Sequence, residues 1–118
     1  MGAFLRSFAF AARGIAIAAR GRNFRVQLGF AAAAVLLSAL LGLDAGEWAL
    51  VAVCIGTVLG LECMNTALES LTDLASPRFH ELAGRAKDCA AGAALCASLG
   101  SLAVGLLLFI PKIAALIL

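Results

Sequence analysis

The chain has no tyrosine, one histidine, one tryptophan and only two prolines in 118 residues. Its first 43 positions hold five arginines and no acidic residue. Charged residues make up 14% of the chain and hydrophobic residues 64%, and the mean hydropathy is +1.06. That balance excludes a soluble domain of this size. With proline scarce, abundant alanine and glycine favour closely packed transmembrane helices. The four cysteines, at positions 54, 63, 89 and 96, form no CxxC pair. Each lies in an apolar stretch, where it acts as a small hydrophobe rather than a disulfide or metal ligand.

Arg6, Arg13 and Arg20 interrupt any apolar core that a secretory signal would need. The Arg/Ala-rich, acid-free composition of this segment is shared with organellar transit peptides. A helical pattern of its own argues against that reading. Arg6 stands where myristoylation of Gly2 would want Ser or Thr. Phe4, Phe8, Ala11 and Ile15 share one face of residues 2–20, and the three arginines recur every seven residues on another. An amphipathic surface helix over 1–22, lying on an anionic leaflet, is expected. A helix packed on a protein partner is the alternative.

Three spans follow. Leu28–Leu43 carries no charge and extends back to Val26, giving a first span over 26–43. Asp44-Ala45-Gly46-Glu47 is a polar turn too short for anything but an antiparallel hairpin. A second span covers 47–75 and carries the pair Gly56/Gly60, which permits close helix approach. Ser76-Pro77 reads as an N-cap and first helical position, starting a third span over 77–110 with Pro111-Lys112 at the far interface. The expected fold is one all-α membrane domain over 1–118. The basic residues before the first span and in 78–87 fall on one side, and the acidic 44–47 turn on the other. The positive-inside rule then makes the N-terminus and the 76–88 segment cytoplasmic.

Glu62, Asn65, Glu69 and Asp73 interrupt the second span. At about 100° per residue their spacing puts them within roughly an 80° stripe on one face. Carboxylates at membrane depth are costly and tend to face a protein interior and do chemistry. The bland reading is a polar seam between packed helices. In a lone subunit the stripe would face lipid, so an oligomer is expected to shield it.

The stripe meets the basic start of the third span. Glu69 and a second carboxylate can hold a hard cation such as Mg²⁺. Lys87 and Arg85 can neutralise phosphate oxygens. Glu62, the deepest acid, suits a general base. These are parts for phosphoryl transfer, although a proton or ion pathway would use similar acids. No Walker loop or Gly-rich kinase loop is present, so any nucleotide site is built differently from those of soluble kinases.

Residues 62–69, Glu-Cys-Met-Asn-Thr-Ala-Leu-Glu, then Asp73, then 80–88, His-Glu-Leu-Ala-Gly-Arg-Ala-Lys-Asp, closely resemble the signature of the prokaryotic diacylglycerol kinase family. Arg22-Asn23-Phe24, Glu47-Trp48, Ala90-Ala91-Gly92-Ala93 and Phe109-Ile110-Pro111-Lys112 look more like its undecaprenol kinase branch. The resemblance covers almost the whole chain. It implies a homotrimer of three-span subunits in the bacterial cell (inner) membrane, with active sites shared between subunits at the cytoplasmic face. Glu62 matches the base that activates the lipid hydroxyl, and Asn65 the residue supporting that base and the phosphates. Glu69 matches a Mg²⁺ ligand. Asp73 and His80 match positions near the nucleotide. Lys87 matches the lysine on the transferring phosphate and Asp88 the acid that positions it, while Arg85 adds a phosphate contact.

The implied activity is phosphorylation of a membrane lipid alcohol by ATP with Mg²⁺. Undecaprenol is the first expectation and diacylglycerol the alternative; a non-catalytic scaffold or lipid-binding homologue is the reading from a different class. The expected partners are the bilayer, the lipid alcohol, ATP and further copies of the chain, with no nucleic acid. One departure bears on the metal. The family usually has a glutamate, a second metal ligand, just before the Asn-Phe turn, where this chain reads Ala19-Arg20-Gly21-Arg22-Asn23. A position usually held by His or Glu shortly after the turn is Gln27.

Overall fold

A computed structural model describes residues 1–118, and it holds four α-helices and no strand. They are α1 (Gly2–Ala18), α2 (Arg22–Leu41), α3 (Ala45–Ala75) and α4 (Glu81–Ile117). The all-α expectation holds. Helices α2, α3 and α4 are each long and apolar enough to cross a membrane. At 1.5 Å per residue the 37 residues of α4 extend about 55 Å. That matches the longest dimension of the molecule, 57 × 42 × 20 Å. The protomer is a flat slab in which α3 packs chiefly on α4 and α2 lies against both. Only ten residues are buried. Nearly all the apolar surface faces outward, as a lipid solvent allows and water does not.

Local chemistry sets each turn. Gly21 caps the N-terminus of α2 with φ −76° and ψ 144°. Its N–H donates to the Ala18 carbonyl at 3.0 Å, and Arg25 Nε donates to the Ala19 carbonyl at 2.9 Å. Helix α2 ends at Gly42, whose φ of 66° is the one left-handed conformation in the chain. The N–H groups of Gly42 and Leu43 both donate to the Ser38 carbonyl, closing the last turn.

Asp44 then caps α3. Its Oδ1 accepts from the Glu47 N–H at 2.8 Å, and its own N–H donates to Glu47 Oε1 at 3.1 Å. This reciprocal capping box means that residues 45–47 are already helical, so the hairpin turn is Gly42–Asp44 rather than 44–47. Glu47 Oε2 also pairs with Lys112 Nζ at 3.2 Å, tying the start of α3 to the far end of α4.

Two boundaries differ from those expected. Ser76-Pro77 does not start the last helix. Ser76 Oγ donates to the Arg78 carbonyl in an irregular turn, and α4 begins at Glu81 with His80 as its cap. His80 Nδ1 accepts from the Leu82 N–H at 3.1 Å. Pro111 does not end that helix either. Helix α4 continues through it to Ile117. A proline inside a membrane helix costs one backbone bond, which packed membrane helices tolerate.

Candidate functional site

The acidic stripe divides by depth. Glu62 and Asn65 are buried, at 6% and 7% exposure, while Glu69 and Asp73 are exposed in the protomer. The expectation that a single subunit leaves the whole stripe uncovered is corrected for the deeper pair. Ala91 and Ala94 of α4 and Asn23 and Val26 of α2 close over them, because small side chains let these helices approach α3. Together with Gln27, Leu95 and Ser98 they line a cavity of about 250 Å³.

Within this cradle Asn65 Nδ2 donates to Glu69 Oε1 at 3.2 Å, one helical turn on. The amide is thus bonded to the expected metal ligand rather than to Glu62. Asn65 Oδ1 is buried and has no partner. A buried amide oxygen left unpaired in a protein is the kind of atom a ligand satisfies. The oxygens of Glu62, Asn65 and Glu69 form a hard donor set, which fits Mg²⁺. The structure brings no three His, Cys, Asp or Glu side chains together as a metal group. That too fits Mg²⁺, which commonly takes one or two carboxylates and completes its shell with water and substrate phosphates. Gly21 sits at the α1–α2 turn and adds no ligand.

Lys87 lies one helix away from the stripe and reaches back to it. Its Nζ donates to Asp73 Oδ1, joining α4 to α3 at the polar end of the bundle. Asp88, the neighbour expected to position the lysine, is exposed and makes no ion pair. Arg85 pairs with Glu81 one turn earlier at 3.1 Å, with both side chains largely exposed. His80 is committed to capping α4 through Nδ1, beside the same turn. The structure therefore places Glu62 and Asn65 in one cradle, bonds Asn65 to the exposed Glu69 one turn on, and pairs Asp73 with Lys87 one turn farther along α3. Arg85, His80 and Asp88 remain on the exposed start of α4.

Sequence reasoning missed one polar contact inside the bundle. Gln27 Nε2 donates to Ser98 Oγ at 3.0 Å across 71 residues of sequence. The available signal was a pair of serines, Ser98 and Ser101, within the uncharged Cys89–Ile110 run. On the side of the bundle away from the polar end, a second, apolar cavity of about 580 Å³ opens between α2, α3 and α4.

Comparison with known proteins gives the arrangement its class. The sequence profile described as prokaryotic diacylglycerol kinase matches residues 9–109. The chain is 40% identical to the undecaprenol kinase of Bacillus subtilis over 111 residues, covering 93% of this chain and 90% of that protein. It is 42% identical to the diacylglycerol kinase of a Synechocystis species over 114 residues, 95% of this chain but 65% of that longer protein. With the diacylglycerol kinase of Escherichia coli K12 it shares 36% identity over 64 residues, about half of each chain. Fold and relatives together define a membrane lipid kinase. The chain belongs to the prokaryotic diacylglycerol kinase family.

Proposed function

We propose that the protein transfers the γ-phosphoryl group of ATP to the hydroxyl of a membrane lipid alcohol, in a Mg²⁺-dependent reaction, with undecaprenol as the acceptor. The observation that carries the reading is the buried Glu62–Asn65 cradle, which is bonded to Glu69 through Asn65 and shares Gln27 and Ser98 with the apolar interior. Glu62 takes the hydroxyl proton as the lipid oxygen attacks phosphorus, and ADP leaves. Lys87, held by Asp73, neutralises charge on the transferring group. Glu69 and Asn65 Oδ1 would hold Mg²⁺, which would screen the phosphate charge. His80, Arg85 and Asp88 border the nucleotide. Undecaprenol is preferred because the alignment with the Bacillus enzyme spans nine-tenths of both chains. Identity to the Synechocystis diacylglycerol kinase supports diacylglycerol as the second reading.

The assembly proposed is a homotrimer with its sites at the cytoplasmic face. Gly56 and Gly60 support it, since nothing in the protomer lies within 4 Å of a Cβ built at either. Exposed Phe4, Phe8 and Ile15 on α1 support an N-terminal helix lying on the membrane surface. The test is a detergent-micelle assay with radiolabelled ATP and undecaprenol, diacylglycerol and ceramide as acceptors. Mg²⁺-dependent label on undecaprenol is expected. No label on any lipid would overturn the reading and favour a scaffold.

A further inference from the structure

The apolar cavity and the polar cradle meet at two residues. Gln27 and Ser98 line both. From Ser98 to Ile113 the cavity follows α4 for about 22 Å at 1.5 Å per residue, away from the cradle. Of its 21 lining residues 17 are hydrophobic, and beyond the junction Ser101 carries the only other hydroxyl.

The hydrogen bonds at the junction have a fixed direction. Ser98 has a single hydroxyl proton, and it goes to the Ala94 carbonyl at 2.9 Å. The serine oxygen must therefore accept from Gln27, which turns the amide nitrogen toward α4. Gln27 Oε1 and the second N–H of the amide have no partner within the protein. A polar hinge with unused hydrogen-bonding capacity thus stands between a buried carboxylate and an apolar channel.

We infer that Gln27 and Ser98 are positioning residues that seat the acceptor's hydroxyl at Glu62 and admit behind it only a hydrocarbon tail, which the α2–α3–α4 cleft takes. The inference rests on the lipid-kinase reading and sharpens its substrate class. The fitting acceptor is a long-chain alcohol whose hydroxyl is followed directly by hydrocarbon. A glycerol diester carries two ester carbonyls just behind its hydroxyl, at the depth where the lining turns apolar. Burying both there, where Ser101 offers the only hydroxyl beyond the junction, is costly.

The test uses the full chain in detergent with MgATP, a long-chain polyprenol and a 1,2-diacylglycerol. Wild type should show the lower KM for the polyprenol. Gln27→Leu and Ser98→Val should each raise that KM about tenfold, the upper worth of one such hydrogen bond, with the KM for ATP unchanged. The double variant should be no worse than either single, because the two residues act as a pair. Ser98→Thr keeps the hydroxyl and should restore the wild-type KM. Photolabelling of wild type with a polyprenol carrying a tail diazirine checks the seat without relying on variants. Label should fall on cleft residues such as Val58 and Leu102.

An unchanged polyprenol KM in both single variants, or an equal rise in the KM for ATP, overturns the positioning role while the kinase reading stands. So does label confined to outward-facing residues, or cross-linking of cleft Cys54 to a second copy. Wild type inert toward both lipids overturns the kinase reading and the positioning role together.

Discussion

Lys87 of α4 donates to Asp73 of α3 across the polar end of the bundle, and this bond fixes where the Lys87 ammonium sits. An exposed ion pair adds little to stability. Its value here is orientation.

Asp73→Asn should therefore lower turnover between about tenfold and 10²-fold, the range for a misplaced catalytic group, with little change in melting temperature. Lys87→Met should be at least as damaging. The double variant should match Lys87→Met alone, because Asp73 acts through the lysine. Saturation kinetics on the three variants checks this. Losses that multiply would show that Asp73 acts on the nucleotide independently.

Gly21 is the second place where one residue decides a property. Its backbone conformation suits any residue, and a Cβ there would lie 3.3 Å from the Ala18 carbonyl oxygen, a tight fit that a small shift relieves. Gly21→Glu restores the acid that the family resemblance leads one to expect. It should lower the Mg²⁺ concentration for half-maximal rate. An unchanged Mg²⁺ dependence would remove position 21 from the metal site.

At the opposite end, the Glu47 N–H holds the Asp44 carboxyl below its ordinary 3.8. A depressed carboxylate stabilises the fold above its unfolded value and loses that contribution as pH falls through its folded one. The cap should thus be intact above about pH 4 and fail in stronger acid. Asp44→Asn, which keeps an acceptor for the Glu47 N–H, should flatten this acid dependence in thermal melts. It should leave lipid phosphorylation untouched, since Asp44 lies at the end of the bundle remote from Glu62.

Chemical cross-linking or native mass spectrometry in mild detergent should give trimers. The exposed Gly56/Gly60 face offers the close approach a bundle of subunits needs. Only monomer would contradict the assembly.

Much of this was legible in the sequence because lipid-facing helices are written as long apolar runs. The three spans follow from those runs, and the helical period of the first residues agrees with α1 being a helix. The helical period alone put Glu62, Asn65, Glu69 and Asp73 on one face. Boundaries were less legible where two caps compete. Ser76-Pro77 has the chemistry of a helix start, yet His80 caps α4 four residues later. Pro111 has the look of a stop, yet the helix passes through it. Pairings between helices were not legible. Lys87 with Asp73, Gln27 with Ser98 and Lys112 with Glu47 depend on the relative register of packed helices. No local pattern encodes that register. The burial of Glu62 and Asn65 within one protomer has the same origin, in the small residues of a different helix.

In the proposed reaction Glu62 takes the proton from a lipid hydroxyl. Glu62→Gln keeps the shape and removes the base. In the micelle assay with undecaprenol and saturating MgATP it should cut turnover about 10²-fold or more, the usual worth of general-base catalysis, while the KM for ATP stays at the wild-type value. Near-normal turnover with weakened ATP binding would contradict the account and place Glu62 in the nucleotide site instead.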